Sequence, residues 1–179
     1  LPAQQGKAIS VDLMSQKVDF DALVTVARGL LARPGRQVLA IAGAPGSGKS
    51  TLVERLAERL ADPAVAILPM DGFHYDDAVL HAMGRRPWKG APDTFDVGGL
   101  RSALSRLRDP AEGAVAVPVF DRDLEISRGS ARIIGPDARL ILAEGNYLTL
   151  DADPWRSLRP YFDATVMIHV PEAELRRRL

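Results

Sequence analysis

The sequence has no cysteine among its 179 residues. That excludes a disulfide framework and any thiolate metal centre, and it suits a reducing cytoplasm. Neither sign of charge is in excess, since Lys plus Arg and Asp plus Glu each total 23. Such a balance draws the chain neither to nucleic acid nor to anionic lipid, so partners of both kinds are disfavoured. Apolar runs are short, and none approaches the ~18 residues that a bilayer-spanning helix needs. Leu1 to Ser10 lacks the charged-then-apolar order of a signal peptide. Internal repeats and low-complexity tracts are absent, and so is the guanine-reading order Asn-Lys-x-Asp. These absences permit a cytoplasmic protein, and the expectation that it is one, with a small molecule as partner, rests on the chemistry below.

What is present is a chain with 46% hydrophobic residues, enough for one sizeable core and one domain over residues 1–179. Residues 1–18 are weakly patterned and read as an N-terminal extension. Asp19 or Asp21 is placed to cap a helix whose Leu23, Val26, Leu30 and Leu31 share a face, ended by Pro34-Gly35. Gln37 to Ala42 is an apolar run bounded by glycine, as in a parallel strand buried on both faces. A glycine-rich loop follows, and then Leu52, Val53, Leu56 and Leu60 recur at helical spacing. Val65 to Met70 is a second strand, ended by Asp71-Gly72. Phe73 to Asp96 is polar and aromatic without periodicity, which predicts a long functional loop. Val97, Leu100, Leu104 and Leu107 mark a further helix. Ala114 to Phe120 and Ala131 to Ile134 read as strands of a small antiparallel flap around the charged segment 121–128. Leu140 to Ala143 and Ala164 to Val170 are strands, and Trp155 to Tyr161 is a short helix. Strands alternating with helices predict an α/β fold with a mainly parallel sheet. Glu172 to Leu179 is a charged helical stretch with no turn signal behind it, so the helix is expected to continue past 179.

The chemistry concentrates in the glycine loop. Gly43, Gly48, Lys49 and Ser50 satisfy the spacing Gly-x-x-x-x-Gly-Lys-Ser/Thr, within Gly43-Ala44-Pro45-Gly46-Ser47-Gly48-Lys49-Ser50-Thr51. In that pattern backbone amides and a helix N-terminus cradle phosphates, the lysine reaches the β- and γ-phosphates, and the hydroxyl meets Mg²⁺. Asp71 and Glu144 both stand where apolar strands end, beside the ligand crevice of an open α/β sheet. One suits a proton acceptor for a substrate hydroxyl and the other a partner for Mg²⁺. The residues assign Asp71 to the first role and Glu144 to the second, although spacing alone allows the reverse. Candidate pocket residues are His74, Tyr75, Arg85, Arg86, Trp88, Lys89, Asp96, Arg122, Asn146 and Tyr147. His74 has no second histidine or carboxylate at helical spacing to complete a metal site.

The segments Leu68-Pro-Met-Asp-Gly-Phe-His74, Arg86-Pro-Trp-Lys-Gly-Ala-Pro-Asp-Thr-Phe-Asp96, Pro118-Val-Phe-Asp-Arg122 and Glu144-Gly-Asn-Tyr147 join the glycine loop in a wider likeness. Together they resemble the P-loop kinases related to uridine kinase, phosphoribulokinase and bacterial type I pantothenate kinase. The likeness is greatest to bacterial proteins named as fructose transport system kinases, and it covers residues 36–179. It implies a three-layer fold of the P-loop NTP hydrolase type, ATP and Mg²⁺, Asp71 as catalytic base and Glu144 as the Mg²⁺-placing acid. It also implies that His74, Tyr75, Asp96, Arg122 and Tyr147 line the acceptor pocket, and that an Arg-bearing lid follows the helix after Pro171. Gly72-Phe73-His74 and Asp121-Arg122 depart from the uridine kinase and pantothenate kinase patterns.

The resulting expectation is an ATP-dependent kinase for a hydroxyl of a small polar metabolite, such as a sugar. A nucleotide-dependent regulatory NTPase and a kinase for a nucleoside or pantothenate-like acceptor are the alternatives.

Overall fold

The computed structural model describes residues 9–11 and 16–178. In chain order its elements are β1 (Ile9–Val11), β2 (Gln16–Val18), α1 (Phe20–Leu31), β3 (Gln37–Gly43), α2 (Lys49–Leu60), β4 (Val65–Pro69), α3 (Asp77–Ala82), α4 (Val97–Arg108), β5 (Val115–Asp121), β6 (Ile126–Ile134), β7 (Leu140–Gly145), β8 (Ala164–Ile168) and α5 (Glu172–Arg178). The main sheet runs β2-β1-β8-β3-β7-β4. Its strands β8, β3, β7 and β4 are parallel, and β1 and β2 join the β8 side antiparallel. The weakly patterned extension therefore supplies two short strands at 9–11 and 16–18, and the rest of residues 1–15 lies outside the described residues.

The unbroken apolar run of β3 is explained by burial on both faces. Leu39 and Ile41 pack with Leu23, Ala27 and Leu30 of α1 and Val53 and Leu56 of α2. Val38 and Ala40 face the other layer, with Leu100 and Leu104 of α4 and with Trp155 and Leu158 of the 3₁₀ turn Trp155–Tyr161. The central strands β3 and β7 thus separate two layers, as helices on both faces of a parallel sheet require. Asp19 caps α1, its carboxylate accepting from the Ala22 amide at 2.9 Å. Among the described residues, no helix is long and apolar enough to cross a membrane.

Two segments depart from expectation. Residues 73–96 are not a plain loop, because Asp76 caps the short helix α3 and 3₁₀ turns form at Arg86–Trp88 and Pro92–Thr94. Six residues are too few to display a helical period. The flap is an antiparallel hairpin as expected, but β6 begins at Ile126, so the connection is only 122–125 and half of the charged segment is strand. Its side chains are largely exposed, which hides the alternation that marks a half-buried strand.

Arg36 ties the far end of the sheet together. Its guanidinium donates to the carbonyls of Ala138 (2.7 Å), Leu107 (2.8 Å), Gly135 (3.0 Å) and Pro136 (3.0 Å). Arg36→Ala strips these carbonyls of a charged donor and should cost roughly 2 kcal/mol. Urea unfolding measures it, and an unchanged midpoint would show that water replaces the guanidinium at no loss.

Candidate active site

The strand β3 hands directly to the loop 44–48 and then to α2. Gly48 is the N-cap residue at φ 84°, a left-handed conformation that favours glycine. The helices α1, α3 and α4 each have an Asp side chain capping their first amides. By contrast α2 has no side-chain cap and no acid in its first turn. Its leading amides and positive end are thus left without a competing carboxylate, which is the arrangement that receives a phosphate. Lys49 is buried, and its Nζ donates to the Ala44 carbonyl at 3.0 Å. Burial lowers its pKa, and the nearby charges of Glu144 and Asp71 oppose that shift.

Glu144 is positioned by the two-residue period of β7. Leu140 and Leu142 belong to the core layer under α1 and α2, so Glu144 points the same way, toward the start of α2. There the Ser50 hydroxyl donates to Glu144 Oε1 at 3.3 Å. Burial is the main cause that raises the Glu144 carboxyl pKa; the Asp71 charge adds to the rise and Lys49 opposes it. Among the described residues there is no cluster of three or more His, Cys, Asp or Glu side chains able to hold a metal. A hydroxyl with one carboxylate nevertheless fits Mg²⁺, which binds by one or two protein groups plus substrate phosphates.

Asp71 does not end the strand itself. The strand β4 stops at Pro69, which has no N–H to donate to a ladder, and Asp71 lies in the 3₁₀ turn Met70–Phe73. This turn is clamped from both sides. A Cβ on Gly72 would collide with the Pro118 carbonyl of β5, and the Ser127 hydroxyl of β6 donates to the Gly72 carbonyl. Gly72 is therefore required by close packing rather than by turn chemistry. Arg122 Nη2 donates to Asp71 Oδ2 at 2.9 Å. Strand order places β7 between β3 and β4, with Glu144 in register with Ile41 and Pro69. Glu144 accordingly meets Ser50, whereas Asp71 stands one strand further out and faces the hairpin.

The other predicted pocket residues divide. His74 is half-buried against Phe95 and Phe120, and its Nδ1–H donates to the Asp71 carbonyl at 2.7 Å. Burial lowers its pKa, so the neutral ring steadies the turn that carries Asp71. Tyr75 is half-buried, with its amide donating to the Thr94 carbonyl at 3.1 Å. Tyr147 packs edge-on against Phe95 and donates its hydroxyl to the Gly90 carbonyl at 2.8 Å. Asp96 caps α4, its carboxylate accepting from the Gly99 amide at 2.8 Å, and like His74, Tyr75 and Tyr147 it is not among the residues that line the two clefts at the site. Arg85, Arg86 and Lys89 likewise brace the 73–96 segment, through pairs with Asp93, Asp77 and Asp77. Arg176, expected near a lid, pairs with Glu172 on the surface of α5, and the side chain of Arg178 lies outside the described residues.

Two clefts meet at this cluster. One, of about 420 Å³, runs along the glycine loop with Lys49, Thr51 and Asn146. The other, of about 220 Å³, lies between α2 and the hairpin and is lined by Glu54, Ile67, Phe120 and Arg132 among others. Both contain Ser50, Asp71, Arg122 and Glu144. Sequence reading passed over Glu54 and Arg132. The signal for Glu54 was its place four residues after Ser50, on the same helix face; for Arg132 there was none.

No protein-family model matches the sequence. The uncharacterized protein YggC of Escherichia coli (strain K12) is 40% identical over 148 residues, covering 80% of this chain and 60% of YggC. A Schizosaccharomyces pombe protein named "Putative uridine kinase C227.14" is 32% identical over 168 residues, which cover 89% of this chain and 72% of that relative. This chain belongs to the P-loop kinases related to uridine kinase. Within these P-loop kinases, the crystal structure of a "putative fructose transport system kinase" from Silicibacter sp. TM1040 has a TM-score of 0.83 at 40% identity. It is matched over 90% of this chain and 80% of its own. The P-loop kinase fold predicted from the motifs is therefore the observed one, while the chain spans only 60% of the length of YggC.

Proposed function

We propose that this chain is an ATP-dependent kinase that moves the γ-phosphoryl group of MgATP to a hydroxyl of a small polar metabolite. The observation that carries this reading is the junction of the two clefts at Ser50, Asp71, Arg122 and Glu144. One cleft has the amides and lysine for a polyphosphate, and the other opens onto the same carboxylates from the hairpin side. A sugar such as fructose is an acceptor of this class, in keeping with the name of the Silicibacter protein.

In the reaction the acceptor oxygen forms a bond to the γ-phosphorus. The bond from that phosphorus to the β,γ-bridging oxygen breaks, and its electron pair leaves with ADP. Asp71 accepts the hydroxyl proton, and Arg122 holds the carboxylate in place through its Oδ2. The loop amides and Lys49 bind the β- and γ-phosphates where charge grows, so catalysis is chiefly alignment and electrostatics. Ser50 and Glu144 would hold Mg²⁺, which when bound neutralises charge on the β- and γ-oxygens.

ADP formation by the purified protein, with and without hydroxyl compounds, tests the reading. A kinase requires the acceptor, whereas equal turnover without any acceptor would identify a nucleotide-hydrolysing regulator. Glu144→Gln should raise the Mg²⁺ concentration for half-maximal turnover by about 10–100-fold. An unchanged Mg²⁺ dependence would remove Glu144 from the metal site.

A further inference from the structure

The hairpin-side cleft contains two charged side chains for which phosphoryl transfer has no use. Glu54 is exposed on α2, four residues after Ser50, and looks into the cleft from the helix wall. Arg132 stands opposite Val117 in the hairpin and enters from the other wall. Its Nη1 donates at 2.8 Å to the carbonyl of Ile67. Ile67 belongs to β4, the last strand of the main sheet, so this bond ties the hairpin to an open sheet edge and fixes the guanidinium beside the cleft.

Three features of the cleft limit what it accepts. Its volume of about 220 Å³ is below the ~300–1,000 Å³ usual for drug-sized ligands. The lining carries two arginines, Arg122 and Arg132, against three carboxylates, Glu54, Asp71 and Glu144. A formal 2+ against 3−, beside a bound polyphosphate, gives no net attraction to a second anion. The polar groups are also complementary in kind. A carboxylate only accepts hydrogen bonds and a guanidinium only donates them, so the pair engages hydroxyls from both sides. Val53, Ile67 and Val119 supply an apolar wall for C–H surface.

We propose that this cleft is the acceptor subsite and that it takes a small, uncharged polyol, with Glu54 and Arg132 as the residues that set specificity. The inference rests on the kinase reading above. Glu54 accepts hydrogen bonds from hydroxyls remote from the reacting one, Arg132 donates to them, and Asp71 is left to receive the proton of the hydroxyl that is phosphorylated.

The test measures ADP formation from MgATP with glycerol, D-ribose, D-fructose, uridine and pantothenate. The polyols should include an acceptor, while uridine, whose base adds apolar bulk that would fill a cleft of about 220 Å³, and pantothenate, which is anionic, should give only the acceptor-free rate. For the best polyol, Glu54→Ala and Arg132→Lys should each raise the acceptor KM by about 10–100-fold, the loss expected for a hydrogen bond to a charged group. The KM for MgATP should stay within about twofold of wild type in Glu54→Ala, because the phosphate cleft does not contain Glu54. Glu54 is exposed and alanine favours a helix, so that variant folds even if loss of the Arg132 fork loosens the hairpin. An unchanged acceptor KM in Glu54→Ala, or preference for uridine or pantothenate, overturns the inference and leaves the kinase reading standing. Turnover that depends on none of the five compounds overturns both.

Discussion

Asp71→Asn should lower acceptor-dependent turnover by about 10²–10⁴-fold, the usual loss when a general base is removed. The substitution keeps the size of the side chain and an oxygen that still accepts from Arg122, whose hydrogen bond to Oδ2 is 2.9 Å long. It cannot take a proton. The turn Met70–Phe73 is held by Gly72 against the hairpin and by His74 on the Asp71 carbonyl, contacts that do not involve the carboxylate. The fold and the affinity for MgATP should therefore persist. Turnover at saturating acceptor is to be measured against Mg²⁺ concentration, beside Glu144→Gln. If high Mg²⁺ restores the Asn variant and not the Gln variant, the two carboxylates have the opposite roles.

Lys49→Ala should reduce turnover by about 10²–10³-fold, as loss of one preorganised group at a developing charge does. Lys49 is the one side-chain cation between Gly43 and Thr51. Its charge matters more in the transition state than in the bound nucleotide, so the loss should fall more on kcat than on the KM for MgATP. Stability should change little, because the lysine sits desolvated beside the backbone and its removal also removes a buried charge. Steady-state kinetics with a thermal melt separate these effects. Wild-type turnover in this variant would show that the glycine loop is not the catalytic site.

The parts of this protein that were legible in its sequence are those set by short-range rules. The helix α1 with its Asp19 cap, the loop 43–51 and the buried strands β3 and β7 all follow from period, capping chemistry and glycine spacing, which act within one or two turns of chain. The same rules could not see α3, which is a single turn and a half, or the strands at 9–11 and 16–18, of which the first pairs with β8 about 150 residues away and the second only with the first. Asp96 shows a second kind of local rule: its carboxylate accepts from the Gly99 amide in the first turn of α4, a capping role that the motif does not display.

The sequence by itself determined that a phosphate-binding loop exists, that Lys49 and Ser50 belong to it, and that two strand-associated acids stand near the crevice. It could not order the strands, because strand order is a matter of which apolar faces the helices cover and not of local preference. Tertiary structure decided that β7 runs between β3 and β4, which sets Glu144 against Ser50, and that the hairpin packs on the turn after β4, which sets Asp71 against Arg122. It likewise decided that a hairpin distant in sequence closes the second cleft, where Arg132 on β6 reaches the edge carbonyl of Ile67 and comes to face Glu54 on α2. Those residues are 78 positions apart (132 − 54), and no periodicity or motif joins them; only the packing of the hairpin over the open sheet edge brings them to one site.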